Sequence, residues 1–378
     1  MARLIAIDAT NLNAGGGITH LVNYLLHSDP LPDSTHIYIW ARPSTLRKLP
    51  SYPWLIKRSN IFITFNGSTC LFWSYILLPI YLRIKKFDIL FAPGGSQIGL
   101  FHPVVTMSRN ILPFSIRETS RYGFRLITLR LLLLRLIQTL SFVTCDGLIF
   151  LTPSAKDYIL KRLPFRPKRT VVIPHGVSAI SPYSRAFMPI SSFSEDNPFN
   201  IIYVSDLHPY KHHLSLIKAT AQLRVEYSFP LHLHLIGALH LSTKNRLDKL
   251  LRSIPDSSSW IHFHGHLPAH EISAFFSSSH ISVFASTCEN LPNILLEYMA
   301  AGLPIICSSY PPMPSITRNA AVYFNPLSPA SLELALYTLI TNPSLRSTLS
   351  ARALSSSSFY KWVSTARDTN SFLNSFYV

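Results

Sequence analysis

Short apolar runs alternate with helical segments along this chain, and the alternation happens twice. RLIAIDA (3–9), IYIWA (37–41), FDILFAP (87–93), PVVTM (103–107), GLIFLT (147–152) and TVVIPHGV (170–177) read as strands of a first half. Runs of this kind suit a parallel sheet, where crossover helices cover both faces and each strand is apolar throughout. SAKDYILKRL after the fifth run predicts a Ser-capped helix. The stretch from Ser178 to Pro198 is rich in Ser and Pro and has no hydrophobic period, which marks a linker. The pattern then restarts with FNIIYVSDL (199–207), LHLHLIG (231–237), WIHFHG (260–265), ISVFAS (281–286), LPIIC (303–307) and AAVYFNP (320–326). Helices are expected near 214–225, 243–253 and 269–278 between them. The expected fold class is α/β, with two Rossmann-like, doubly wound domains at 1–180 and 199–357 joined by a linker at 181–198. His232 and His234 alternate within LHLHLIG as one face of a half-exposed strand would.

Ser286 to Ser309, STCENLPNILLEYMAAGLPIICSS, carries the strongest chemical signal. It reads as loop, helix, turn and strand. Proline is tolerated at a helix start because it has no N–H to lose, so the helix begins near Pro292. It stops at Gly302, a residue that accepts a left-handed cap. Backbone N–H groups at a helix start, here those of Asn293 and Ile294, attract phosphate. Glu289 precedes that start. Glu297 lies about 6 Å along the axis from Asn293 at ~1.5 Å per residue. A diphosphate there would have a carboxylate on each flank, one for sugar hydroxyls and one for ribose hydroxyls.

Near the N-terminus, Gly15, Gly16 and Gly17 follow the first strand and open a helical pattern, a phosphate-approach unit although not GxGxxG. Hydrophobic residues make up 48% of the 378 and charged residues 14%, which excludes a disordered chain. Lys and Arg number 34 against 18 Asp and Glu, a formal net charge of +16 that favours anionic partners. Cys70, Cys145, Cys288 and Cys307 form no CxxC pair and no zinc spacing, so they suit buried packing in a reducing compartment. None of the 16 histidines falls in a zinc pattern. No export signal is read at the N-terminus, and no uninterrupted apolar run reaches the ~18 residues of a membrane span. Two stretches approach it: CLFWSYILLPIYLRIKK (70–86), and FRLITLRLLLLRLIQTL (124–140) with Arg125, Arg130 and Arg135. Each suits either a core helix or a helix lying in a membrane interface.

The E-x7-E spacing of Glu289 and Glu297, followed by AAGLPII, resembles the donor-site motif of the retaining glycosyltransferases of family 4 (glycosyl transferases group 1). The resemblance runs over nearly the whole chain. It implies the GT-B fold, two Rossmann-like domains facing a central cleft. The C-terminal helix, about 358–378 and containing YKWVSTARDT, would cross back to the first domain. The family has a Gly-Gly pair where Gly16 and Gly17 stand. PHGV (174–177) is similar to its Asn-Gly-Val element, with His175 in place of Asn. YVSDLHPYKHHLSLIKA (203–219) resembles the element opening its second domain, so Lys211 matches the lysine that neutralises the donor's diphosphate. Asp206 stands where an Arg is common. Gly265 and His266 match the turn of the base-binding loop. The family commonly has a His after the strand matching PVVTM; here Ser108, Arg109 and Asn110 follow, with His102 before it. Arg109 or Asn110 would then contact donor sugar or acceptor.

The resemblance implies a cytoplasmic retaining hexosyltransferase-type enzyme, at the inner face of a membrane, in polysaccharide or lipopolysaccharide assembly. Its donor would be a nucleotide-diphosphate sugar and its acceptor a glycan or lipid-linked hydroxyl, with no permanent cofactor and no metal. Peripheral contact with an anionic membrane is expected from the two apolar, basic stretches. Three alternatives stand beside this reading. One is a GT-B nucleotide-sugar epimerase. Another is a catalytically degenerate partner subunit, motivated by Asp206 and the missing His. The last is a nucleic-acid binder, motivated by the charge but lacking a recognised module.

Overall fold

The computed structural model describes residues 3–377 except 14, 29–34, 65–66, 179, 181 and 184–185. The contacts divide it into two units. Unit one comprises Met1–Phe114, Leu129–Gly176 and Tyr360–Val378; unit two comprises Ser115–Thr128 and Val177–Phe359.

Unit one holds a seven-stranded parallel sheet: β1 (Arg3–Asp8), β2 (Thr35–Trp40), β3 (Leu55–Arg58), β4 (Ile89–Ala92), β5 (Val104–Ser108), β6 (Gly147–Phe150) and β7 (Arg169–Val172). The spatial order is β3-β2-β1-β4-β5-β6-β7. β4, β5 and β6 are buried at every position, as helices on both faces require. β3 was not expected from the sequence. It is a four-residue edge strand, LIKR, and Lys57 sends its ammonium to the Leu49 carbonyl at 2.8 Å. An edge strand is wetted on one side, so it lacks the continuous apolar run that betrays its neighbours.

The helix after β6 starts at Pro153 and is capped by Thr152, whose hydroxyl accepts from Ala155 N at 3.2 Å. The expected cap at Ser154 is therefore displaced by two residues. Within 68–84 the helix is interrupted by a π turn at Trp73–Leu77. Pro79 has no N–H to return to Tyr75, four residues back, and a bulge absorbs the missing bond. The Trp362–Asn374 helix packs within unit one. Thr365 donates to the Pro174 carbonyl at 2.8 Å, and the Tyr24 hydroxyl donates to Asn370 at 2.7 Å. A Cβ on Gly176 would stand 2.2 Å from Trp362 N, so only glycine admits this approach.

Unit two holds six parallel strands: β8 (Phe199–Val204), β9 (Leu231–Ile236), β10 (Ile261–Gly265), β11 (Ile281–Phe284), β12 (Ile305–Ser308) and β13 (Ala321–Phe324), in the order β10-β9-β8-β11-β12-β13. The expected helices occupy His213–Tyr227, Leu241–Arg252 and Ala269–Ser278. The stretch expected as a linker is not a free tether over its described part. Phe193 packs edge-on to Phe199 and His280, and the buried Arg346 donates to the carbonyls of Met188, Leu339 and Ile340. Residues 181 and 184–185 of it lie outside the described residues. His232 and His234 do occupy alternate, half-buried positions of β9. They face His262 and His264 of β10, with His234 and His264 rings 3.1 Å apart at nitrogen and His232 and His262 at 3.0 Å. Burial first, and then its histidine neighbours, push His234 down to about 4.

The Asn293–Ala300 helix ends in a paired cap. Gly302 N donates to the Met299 carbonyl at 3.1 Å and Leu303 N to the Tyr298 carbonyl at 3.0 Å, with Gly302 at φ +65°. A Cβ there would meet Leu354 at 3.1 Å. Gly302→Ala is expected to lower stability by about 1–2 kcal/mol, the cost of holding an L-residue in the left-handed region. Urea unfolding checks this: the midpoint falls with the slope unchanged, whereas an unmoved midpoint would show that the helix end relaxes to negative φ.

Candidate nucleotide-sugar site

In a doubly wound sheet the ligand crevice lies outside the C-terminal ends of the two strands where the order reverses. In unit two those strands are β8 and β11. The loop after β8 carries Lys211, and the loop after β11 carries Glu289. Their side chains form an ion pair, Lys211 Nζ to Glu289 Oε1, each 13% exposed. The ammonium also lies 5.4 Å from the ring centres of Tyr210 and Phe284. Backbone contacts hold the two loops in place. Thr287 N donates to the Tyr210 carbonyl at 3.0 Å, and the Tyr203 hydroxyl donates to the Lys211 carbonyl at 2.9 Å.

The Asn293–Ala300 helix begins directly after this loop, with Pro292 at its cap. Asn293 and Ile294 thus supply its first turn. Glu297 lies one turn on, half-buried, and burial raises its carboxyl above the ordinary range. It has no ion-pair partner among the described residues. The next residue fixes the helix to the sheet: the Tyr298 hydroxyl accepts from Val204 N at 2.7 Å.

The other residues singled out from the sequence in this unit sit differently. Asp206 is exposed, and its Oδ1 accepts from Ala238 N at 2.8 Å. It braces the loops after β8 and β9 and stands where a cation was sought. Gly265 ends β10 at φ +65°, and its carbonyl accepts from Gly237 N at 2.7 Å; His266 is exposed beside it. β10 is two strand positions from β8, roughly 10 Å, so this turn lies to one side of the Lys211–Glu289 pair. Cys288 is buried, and burial first and Glu289 next push its thiol far above the ordinary range, so it is an inert filler.

Unit one has its own reversal between β1 and β4. Gly15 takes φ +65° and Gly16 begins the Gly16–Leu26 helix. Gly17 faces Arg109, and a Cβ there would stand 2.9 Å from the guanidinium. Arg109 follows β5, and burial lowers it to about 10. His20, one turn beyond Gly17, was missed in the sequence. Its ring is fully buried, stacks on His175 at 4.8 Å and lies 6.0 Å from Trp362. Burial, then His175 and Arg109, hold it well below the ordinary range, so it is neutral. The signal available was its i+3 spacing from Gly17, which places both on one helical face. Asn110 is exposed and accepts from Leu112 N at 3.0 Å, so the structure gives it a turn-forming bond. His102 pairs with Asp146 at 2.6 Å before β5, at the end of the sheet opposite the glycine loop. It does not replace the absent His.

Residues 185–355 match the family described as glycosyl transferases group 1. The match lies within the second unit and covers less than half of the chain. Over the whole length, the chain is similar in structure to the sucrose-phosphate synthase of Thermosynechococcus elongatus, with a TM-score of 0.73 at 14% identity, covering 99% of this chain and 98% of that one. It is also similar to Anabaena HepE, solved in complex with UDP and glucose, with a TM-score of 0.70 at 17% identity, covering 99% and 100%. These likenesses show the fold, which is GT-B. An Escherichia coli protein, O-antigen chain mannosyltransferase B, is 21% identical over 164 residues, 43% of this chain and 42% of that relative. The match spans about two fifths of that curated relative's length.

The second unit thus pairs Lys211 with Glu289. The sequence had assigned the two to separate parts of a donor. Removing one partner strands a charge in a site with little solvent. In a double-mutant cycle with Lys211→Met and Glu289→Gln, a coupling of about 1–3 kcal/mol is expected in unfolding free energy. Additive losses would show that the pair is broken in solution.

Proposed function

We propose that this protein transfers a sugar from a nucleotide-diphosphate donor to a hydroxyl acceptor with retention at the anomeric carbon. The observation that carries the reading is the Lys211–Glu289 pair at the reversal point of the second sheet, against the start of the Asn293–Ala300 helix with Glu297 one turn beyond. A diphosphate fits between the helix start and Lys211. It draws the ammonium away from Glu289, which then turns to the donor sugar's hydroxyls. Glu297 meets the ribose. HepE, described with UDP and glucose, shares this fold, which supports the ligand class.

In the reaction the bond from the anomeric carbon to the diphosphate oxygen breaks, and the acceptor oxygen bonds to the same face. The acceptor proton passes to the departing diphosphate. Lys211 and the N–H groups of Asn293 and Ile294 stabilise the negative charge that develops there. These groups supply the charge neutralisation without a metal. Arg109, with neutral His20 against it, and Gly16 and Gly17 form the counterpart in unit one for sugar or acceptor. Glu289→Gln is expected to lower kcat about 100-fold or more, while Glu297→Gln chiefly raises the donor KM. Steady-state kinetics with varied donor checks this, and unchanged constants in both variants would remove the assignment.

We further propose an acceptor carried at an anionic membrane in a cell-surface glycan route, as the likeness to an O-antigen mannosyltransferase supports. The Leu126–Thr144 helix is long and apolar enough to cross a membrane, yet only Leu131, Gln138, Ser141 and Phe142 of it are buried. Leu129, Leu132, Leu133, Leu136 and Leu140 are each at least 44% exposed. The 97–100 loop adjoins this helix and the 68–84 segment. Gln97 N donates to Ser141 Oγ at 2.9 Å, and its side chain donates to the Ser74 carbonyl at 3.1 Å. Exposed Ile76, Ile80, Ile98 and Leu100 therefore extend the apolar face. Arg83, Lys85, Lys86, Arg130 and Arg135 border it, and 68–86, 97–101 and 121–145 contain no Asp or Glu. The occupant this charge pattern selects is an anionic lipid surface, at about 1 kcal/mol per basic residue. Arg83, Lys85 and Lys86 all changed to Glu is expected to abolish sedimentation with phosphatidylglycerol vesicles at low salt while circular dichroism stays native. Wild-type protein that remains in the supernatant would refute docking.

A further inference from the structure

The segment Ser115–Thr128 packs in unit two, although along the chain it follows β5 of unit one. It consists of the short helix Ile116–Ser120 and a turn through Gly123 at φ +67°. Arg121 Nε pairs with Glu118 Oε2 at 2.6 Å, so that guanidinium is held inside the segment. Tyr122 follows, and it is 2% exposed. A buried phenol hydroxyl ordinarily finds a partner. Here the partner lies 86 residues away: a hydrogen bond of 3.0 Å joins the hydroxyl to His208 Nδ1.

His208 opens the turn that carries Lys211. Its carbonyl accepts from Lys211 N at 3.0 Å, and its own N–H donates to the Asp206 carbonyl at 2.8 Å. The imidazole lies parallel to Tyr210, with 5.6 Å between ring centres and 11° between planes, and 4.6 Å from the His240 ring. Burial, and then His240, push it down to about 4, so it is neutral. In either tautomer its Nδ1 and the Tyr122 hydroxyl share one hydrogen.

Tyr122 also lies near the second arm of the site. Burial first, and then Cys288 and Glu118, raise its hydroxyl far above the ordinary range. Cys288 directly precedes Glu289. The same phenol is therefore close to the loop after β11 while it bonds the turn after β8.

A lysine ammonium stands on a flexible four-carbon stem, so where it points depends on the backbone that bears it. Two bonds from outside hold this turn. One comes from Thr287 N to the Tyr210 carbonyl, and the other from Tyr122 to His208. An ammonium that must meet a diphosphate gains from a turn already in place, because less ordering remains to be done on binding.

We propose that Tyr122 is a positioning residue for Lys211, its bond to His208 fixing the turn that presents the ammonium to the donor's diphosphate. This role rests on the donor reading of Lys211.

Titration calorimetry on the full chain with UDP, GDP and ADP tests it. The diphosphate that the wild type binds most tightly is then titrated into Tyr122→Phe, Lys211→Met and the double variant. Phe keeps the ring against His208 and His240 and removes only the hydroxyl. Tyr122→Phe is expected to weaken the diphosphate about tenfold. His208→Phe removes the other partner of the bond and is expected to give the same loss. Lys211→Met is expected to weaken it about thirtyfold, and the double variant no further than Lys211→Met alone. A hydroxyl that merely stabilised unit two would weaken binding in both backgrounds. That additive result overturns the proposal, as does unaltered affinity in Tyr122→Phe or His208→Phe. If the wild type binds none of the three diphosphates, the donor reading of Lys211 falls and this role with it. If it binds one and Tyr122→Phe binds it equally, the donor reading stands and only the role of Tyr122 falls.

Discussion

A buried lysine–glutamate pair at the point where a parallel sheet changes direction organises the second unit. Two charges at 13% exposure each are costly to strip of water, and their attraction repays this only when the surrounding backbone holds them in register. The loops that present them are therefore tied to each other and to the sheet, through Thr287 to Tyr210 and through the Tyr203 hydroxyl. Tyr298 then clamps the following helix to β8.

The first unit uses the same topology with different chemistry. Its glycine loop brings a helix start close to a buried guanidinium, and neutral aromatic rings pack behind it. His20, His175 and Trp362 stack as a column. A neutral imidazole beside Arg109 adds no like charge, and this lets the guanidinium stay ionised despite its burial. The Trp362–Asn374 helix closes this column from a segment remote in sequence.

Histidine is used here mainly as a neutral, half-buried ring. The four rings of β9 and β10 bond in pairs because both strands alternate with period two and run in parallel register. His213 and His208 sit in the loop and helix beside Lys211, and burial takes His208 down to about 4. The large formal charge of the chain resides in Lys and Arg, 34 against 18 Asp and Glu.

Period and punctuation in the sequence determined the strands, the doubly wound plan and the helix from Pro292 to Gly302. Sheet strands buried on both faces are written as uninterrupted apolar runs, and helix ends as proline and glycine. β3 escaped because an edge strand is not under that pressure. The Thr152 cap escaped because Thr and Ser two residues apart offer equal oxygens, and only the chain path chooses between them. Glu289, Glu297 and Lys211 were legible one by one, through a spacing along the chain. Which of them touch was not. The ion pair joins residues 78 positions apart. The place of His20 against Arg109 and of Ser115–Thr128 in the second unit depends likewise on segments remote in sequence. Contacts of that range are decided by how sheets and helices pack, because burial and hydrogen bonding act on neighbours in space and leave no local pattern to read.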